Sequence, residues 1–405
     1  MWWKRALSSA LLTFAGLTLP LVVFEIYLRL TWKTPVSFYR SDPYTGSWHI
    51  PGASGWWEKP CFRTFVRFNS QGLRDTEHEE ARSPGTYRIV VLGDSYAEAM
   101  QVKLEESFPK VLERELQKYL GPTRKVEVIN LGVSGFGTDQ ELLALRHYGI
   151  KYQPDLVLLA FLTGNDVRNN YYLLEERANG EPVKKPYFLL DSQGQLVLQQ
   201  PSNLPAQLGQ DPLWKRVGRK FRTGHWAWEK LYRIRMQKAQ ARVVRGSPQR
   251  QPQAGAVDNG VYLRRYPPEW EEAWRITEAL VVEVARESRK AGARFLLVSL
   301  TDPFQLALQQ NKQNNPELDP ERPIQMLTDI ARRHGLDYLP LLPLFRQAME
   351  QNGYQLEDLH YSCDGHWTPL GHRLAGEAIA RYLAGATALD GQLHLPASAT
   401  PSDFR

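Results

Sequence analysis

Cysteine is scarce: the 405 residues contain two, Cys61 and Cys363. That excludes a disulfide-rich scaffold and an all-cysteine zinc site. Charge imbalance is slight as well. Fifty Lys and Arg stand against 44 Asp and Glu, and a net charge of +6 does not by itself identify a partner. The composition is not that of a disordered chain, with 42% hydrophobic and 23% charged residues. Twelve Trp and 18 Tyr supply large core-forming side chains. The length allows one large domain or two ordinary ones.

One long apolar run is present, from Ala6 to Leu28. It is long enough to cross a hydrocarbon core of roughly 30 Å. Lys4 and Arg5 precede it, which favours an inside N-terminus and an outside remainder. Glu25, its one charge, lies near the far end, and Pro20 is tolerated in a membrane helix. The rival reading is a cleaved signal peptide. No clear small-x-small cleavage site lies in or just after residues 23–29, so an uncleaved anchor in the inner (cytoplasmic) membrane is expected. An extracytoplasmic body permits disulfides. Cys61 and Cys363 then either pair or remain two separate buried thiols.

The rest of the chain reads as an α/β domain. Residues 33–85 form an extension rich in Pro, Gly and aromatics, with a strand over 62–68, a turn at 69–72 and a short hairpin. From residue 86, largely apolar runs alternate with helical stretches. Strands are expected over 89–92, 126–131, 155–161, 295–300 and 336–342, and helices over 108–120, 138–152, 267–291, 323–334 and 370–383. That alternation predicts a parallel sheet covered on both faces. The expected organisation is an anchor over 1–32, an extension over 33–85, a main domain over 86–385 interrupted by an insertion over about 172–266, and a tail over 386–405.

The insertion fits poorly as core. Residues 214–250 hold twelve Lys and Arg, one acid, Glu229, and interleaved aromatics such as Trp214, Trp226 and Trp228. They read either as a solvated helical lid or as a surface that approaches anionic lipid or an acidic polysaccharide. The expected compartment disfavours nucleic acid. Residues 246–259 have the composition of a disordered loop.

Four short segments carry chemistry. The first strand runs into Gly93-Asp94-Ser95, where open parallel sheets place ligands. A serine hydroxyl becomes nucleophilic when a neighbouring base takes its proton. Asp364-Gly365-His366-Trp367 supplies such a base and a carboxylate to orient it. Between them lie Gly132-Val133-Ser134-Gly135-Phe136-Gly137 and Thr163-Gly164-Asn165-Asp166. Glycine admits a backbone N–H close to a reacting oxygen, and an Asn amide can donate to the same oxygen. Each segment alone has an ordinary reading as a cap or a turn. Their joint placement after strands, on one predicted edge of one sheet, is what points to a site. A metal site of Asp364, His366 and His372 would leave Ser95 and Asn165 unexplained, so none is expected.

This constellation resembles the SGNH (GDSL-type) esterase superfamily, over roughly residues 86–170 and 268–385. The resemblance implies a flavodoxin-like three-layer α/β/α domain and no cofactor. It implies Ser95 as nucleophile, His366 as base and Asp364 as its partner. It also implies an oxyanion hole from the Ser95 and Gly135 backbone and the Asn165 side chain, with Gly132 or Gly137 as weaker assignments. The usual pattern has two residues between Asp and His; here only Gly365 intervenes, a form similar to SGNH-like proteins acting on exopolysaccharides. His372 is the alternative base. The implied function is a membrane-anchored esterase cleaving a carboxylic ester, with an O-acetyl group on a glycan as one candidate. The alternatives are acyl transfer to or from a cell-envelope polysaccharide, and an inactive scaffold that binds polysaccharide or lipid.

Overall fold

A computed structural model describes residues 2–31, 37–122, 124–180, 183–200, 221–224, 226, 230, 259–310 and 316–387. The chain divides into two compact units, 1–36 with 205–253, and 37–204 with 254–405.

In the second unit the extension forms two antiparallel hairpins, β1 (Tyr39–Asp42) with β2 (Gly46–His49) and β3 (Ser54–Lys59) with β4 (Phe62–Arg67). The strand expected over 62–68 is β4. The turn at 69–72 also forms, with Asn69 Oδ1 accepting from Gln71 N and Leu73 N at 2.9 and 2.8 Å. The partner of β4, however, is β3, joined to it through Pro60 and Cys61 before that turn.

The central sheet contains β5 (Thr86–Gly93), β6 (Lys125–Asn130), β7 (Leu156–Leu162), β10 (Arg294–Leu300) and β11 (Asp337–Pro340). The order is β11-β10-β7-β5-β6, all parallel. In order of appearance this is 2-1-3-4-5, the flavodoxin-like arrangement, with its topological switch between β5 and β7. The strands are apolar on both sides because both faces are covered. Val90, Leu92, Val157, Leu159 and Leu297 pack beneath the helix Pro268–Lys290. Ile89, Val91, Leu158, Ala160 and Val298 meet the helices Phe108–Leu120 and Pro369–Thr387.

Helix Pro268–Lys290 shows why these helices sit where they do. Proline occupies its first turn together with Glu269 and Glu271, Arg289 and Lys290 occupy its last, and each complements the helix dipole. Trp270, Trp274, Thr277, Val281, Val284 and Ser288 recur at helical spacing and are buried.

Two expectations need correction. The helix expected over 138–152 is α-helical only across Thr138–Ala144, followed by a π turn over Leu145–Gly149 and a 3-10 turn over Ile150–Tyr152. The wider turn carries Tyr148 onto Trp48, with ring centroids 4.4 Å apart, and lets Tyr148 donate to Asp42 at 2.5 Å. The stretch read as an insertion also contributes to the core at both ends. Leu174, Phe188, Val261 and Tyr262 are buried, and so is Lys185, paired with Asp139 and Glu175. An apolar count misses this, because the region's polar residues hide a few deep anchors. The antiparallel pair β8 (Tyr187–Leu190) and β9 (Leu196–Gln199) lies in this stretch.

The described residues of the first unit include the helix Trp2–Thr31, within which Leu12–Thr31 is long and apolar enough for a membrane span or a signal sequence. Glu25 accepts from the backbone N–H groups of Arg222 and Thr223 at 3.0 and 2.9 Å, and Phe24 meets Trp226 edge-on at 5.3 Å. The other residues of the basic 214–250 segment, the 246–258 stretch and the tail from 388 lie outside the described residues.

Candidate active site

Ser95 opens the short helix Ser95–Glu98 directly after β5. A Cβ at Gly93 would lie 2.8 Å from the Ala97 Cβ, so glycine there lets the helix fold back tightly onto the strand end. Asp94 caps this helix, its Oδ1 accepting from Tyr96 N at 2.9 Å. The Ser95 N–H lies in the first helical turn, where no intrahelical acceptor exists.

The last chemical segment sits in a closed loop. His360 and Trp367 form an antiparallel bridge, and Tyr361 N donates to His366 O at 2.8 Å. Gly365 at the tip has φ +82°, a conformation that accommodates glycine without a Cβ clash. This tight turn is how a single intervening residue brings Asp364 onto His366. Asp364 Oδ2 lies 2.8 Å from His366 Nδ1, and His366 Nε2 lies 2.7 Å from Ser95 Oγ. With the imidazole proton on Nδ1, His366 donates to Asp364 and accepts from Ser95. Tyr96 supports the loop by donating to Gly365 O at 2.9 Å, with its ring 4.9 Å from that of His366.

Asp364 is an anion by construction. Burial opposes its ionisation, but hydrogen bonds from His366 and Lys59 outweigh that and hold its carboxyl well below the usual range. His372, the alternative base, is buried beside Phe108, whose N–H donates to its Nδ1 at 3.3 Å. Burial drives its pKa far down, so it is a neutral packing residue on the C-terminal helix.

The two remaining loops meet the helix of Ser95 and its cap across the switch point. Asn165, following β7, donates from Nδ2 to Asp94 Oδ2 at 2.9 Å. Gly135 has φ +78°, and a Cβ there would meet open space. Gly132 and Gly137 serve packing instead. A Cβ at Gly132 would lie 2.6 Å from Glu98 N, and one at Gly137 would lie 2.8 Å from Asn169 Cβ. Asn169 Nδ2 also donates to Gly135 O at 3.2 Å, tying the glycine loop to the asparagine loop.

Several residues around the site escaped sequence reasoning. Glu98 is buried and accepts from His49 Nε2 at 2.6 Å, from Tyr39 OH at 2.7 Å and from Ser134 Oγ. Burial alone would raise its pKa, but those hydrogen bonds outweigh it and lower it. Glu98 thus joins the helix of Ser95, the glycine loop and the β1–β2 hairpin. Asp302, after β10, accepts from Tyr262 OH and from Gln305 N, and its carboxylate closes against Gly164. Lys59, at the end of β3, pairs with Asp364. Cys61 and Cys363 form a disulfide between residues 302 positions apart, which resolves the open alternative. The cysteines were the one signal in the sequence that could have placed residues 59–61 beside 363–364.

The family model for the GDSL-like Lipase/Acylhydrolase family matches residues 91–320, more than half of the chain. The chain belongs to this family. The matched segment carries Ser95, Gly135 and Asn165 and ends before Asp364 and His366. Among proteins with curated descriptions, none matches the chain. Solved structures similar to it include an acetyl xylan esterase, AlAXEase, at 12% identity, covering 72% of this chain and 97% of that one with a TM-score of 0.39. A putative lipolytic protein of the G-D-S-L family from Desulfitobacterium hafniense DCB-2 shares 12% identity, covering 73% of this chain and 98% of that one, with a TM-score of 0.36. The acetylxylan esterase Axe2 from Geobacillus stearothermophilus shares 13%, covering 73% and 93%, with a TM-score of 0.38. The family makes the protein an ester-cleaving serine hydrolase.

Proposed function

We propose that the protein cleaves a carboxylic ester by acyl transfer to Ser95. The supporting observation is the unbroken hydrogen-bonded line from Ser95 Oγ through His366 to Asp364, at 2.7 and 2.8 Å. His366 takes the serine proton as Oγ attacks the carbonyl carbon, then returns it to the leaving alcohol. The backbone N–H groups of Ser95 and Gly135 and the second N–H of Asn165 receive the oxyanion. Water, activated by His366, then releases the acid. The test is a fluorophosphonate probe followed by a panel of acyl esters from short to long. Wild type should label and turn over, and Ser95→Ala should do neither; labelling that persists in Ser95→Ala sinks this reading.

The protein is further proposed to be held in the inner (cytoplasmic) membrane by helix Trp2–Thr31, with the hydrolase domain outside. Lys4 and Arg5 before the apolar stretch favour that orientation, and the Cys61–Cys363 disulfide fits an oxidising compartment. A protease added to intact spheroplasts should digest the domain; protection until the membrane is opened would reverse the topology. The basic 214–250 segment would meet anionic lipid or an acidic glycan. An O-acetyl glycan is the favoured substrate class, with transfer to a polysaccharide hydroxyl using the same acyl-enzyme. Product analysis with a sugar acceptor present separates the two.

A further inference from the structure

A buried carboxylate needs partners for both of its oxygens. The Asp364 side chain is 2% exposed. Among the described residues its carboxylate has two hydrogen-bonding partners, one for each oxygen: His366 on Oδ2 and Lys59 on Oδ1. Lys59 comes from β3, a strand of the extension that lies outside the family-matched segment. Its position is not left to a flexible side chain on an open surface. Two residues on, Cys61 is bonded to Cys363, the neighbour of Asp364. Next to that bond, Phe62 packs against Tyr361 with ring centroids 5.2 Å apart. On the far strand, Thr64 Oγ1 donates to Gln101 O at 2.7 Å.

We infer that Lys59 is a positioning residue of the hydrolase site, whose ammonium locks the Asp364 carboxylate with Oδ2 turned to His366 and tempers the negative charge that the imidazole feels. The inference rests on the reading of Ser95, His366 and Asp364 given above. An isolated surface ion pair would be worth little. This one differs because the anion is buried and the cation's strand is cross-linked to the anion's loop. Without Lys59 the full carboxylate charge falls on the imidazolium, which then holds its proton more tightly.

Other charges face the same pair. Asp94 and Tyr96 come from the serine helix, His360 from the base of the loop, His372 from the C-terminal helix, and Asp302 from the end of β10 by way of Tyr96. Burial pushes the Asp94 carboxyl up, with Tyr96, Asn165, His366 and Glu98 as its other influences, and burial keeps His360 and His372 neutral. Lys59 is therefore the cation whose removal most directly alters the field at Asp364.

The experiment is the pH dependence of kcat/KM for a small acetate ester, using the full-length protein in detergent. Lys59→Met should move the acid limb up by about half a unit to one unit, the usual sense for loss of a cation beside the anion. The loss of activity should be largest near pH 6 and shrink towards pH 9. Lys59→Arg keeps the charge and should restore the limb. Lys59 is 42% exposed, so neither substitution opens a cavity. Ser95→Ala is run beside them. If Ser95→Ala is inactive and the Lys59→Met profile superimposes on wild type, or Lys59→Arg shifts as far as Lys59→Met, the role of Lys59 is overturned while the serine mechanism stands. If Ser95→Ala keeps its activity, the serine reading fails, and the assignment of Lys59 fails with it.

Discussion

Asn165 donates to Asp94 at 2.9 Å, and Asp94 in turn caps the helix that Ser95 begins. The proposed nucleophile and the proposed side-chain oxyanion donor are thus held by one carboxylate. An amide carries two N–H groups, so Asp94 takes one and the other remains for substrate. Asn165→Ala should lower kcat by roughly 10²–10³-fold, the usual cost of one oxyanion donor. Asp94→Ala should cost about 1 kcal/mol of stability as a lost cap and lower kcat as well. Steady-state kinetics beside thermal melts separates the two effects.

Asp364→Asn would leave the loop in place but cannot hold the proton of His366 on Nδ1 as an anion does. A drop in kcat of roughly 10³–10⁴-fold is expected, by analogy with serine hydrolases that lose this carboxylate. The rate of fluorophosphonate labelling should fall in parallel. Labelling at the wild-type rate would show that His366 is oriented without Asp364.

The glycines make a contrasting set. Gly365→Ala must adopt φ +82°, at a cost of about 1–2 kcal/mol, and should also displace His366. Gly132→Ala puts a Cβ 2.6 Å from Glu98 N, so its penalty is overpacking of about 1–3 kcal/mol. Both should lower the melting temperature. Only Gly365→Ala should change the acid limb of the pH–rate profile.

Stability should fall as pH drops from about 6.5 to about 4. Burial lowers the pKa of His360 to about 4 and that of His372 well below its ordinary value. In that window the unfolded chain binds protons that the folded chain refuses. Each histidine then contributes a slope of up to about 1.4 kcal/mol per pH unit, stability rising with pH. Glu141 and Asp166 oppose this. Burial raises both pKa values, so their contribution declines as pH rises above the ordinary carboxylate range. The difference between wild type and His372→Gln isolates the histidine share, and the variant should have the flatter acid slope in thermal melts.

Reducing the Cys61–Cys363 bond should destabilise the domain by about 2–4 kcal/mol, since it closes a long loop in the unfolded chain. It should also weaken catalysis, because the hairpin carrying Lys59 loses its tether to residue 363. Melting temperature and esterase activity, each with and without dithiothreitol, test the two halves.

The sheet was legible because its strands are apolar on both faces and its helices carry their own caps and stripes. Each of the five expected core strands corresponds to one observed. The convergence of Ser95, His366 and Asp364, and of Asn165 on Asp94, was legible because strand ends and glycines mark where a parallel sheet presents side chains. The π turn after Ala144 was not, since it sets Tyr148 on Trp48, a contact between distant segments of the chain. Nor were the buried anchors Lys185 and Tyr262, set among polar neighbours that suggest surface.

The sequence by itself determined the class of fold and the candidate reacting groups, because periodicity and turn chemistry are local properties. Tertiary structure alone decided how those groups are held. Only folding sets Lys59 on Asp364, closes Cys61 onto Cys363, gathers Tyr39, His49 and Ser134 around Glu98, and turns His372 away from the serine. These are pairings of buried charge and polar groups between distant segments. Their strength comes from exclusion of water, and no local pattern in the chain records it.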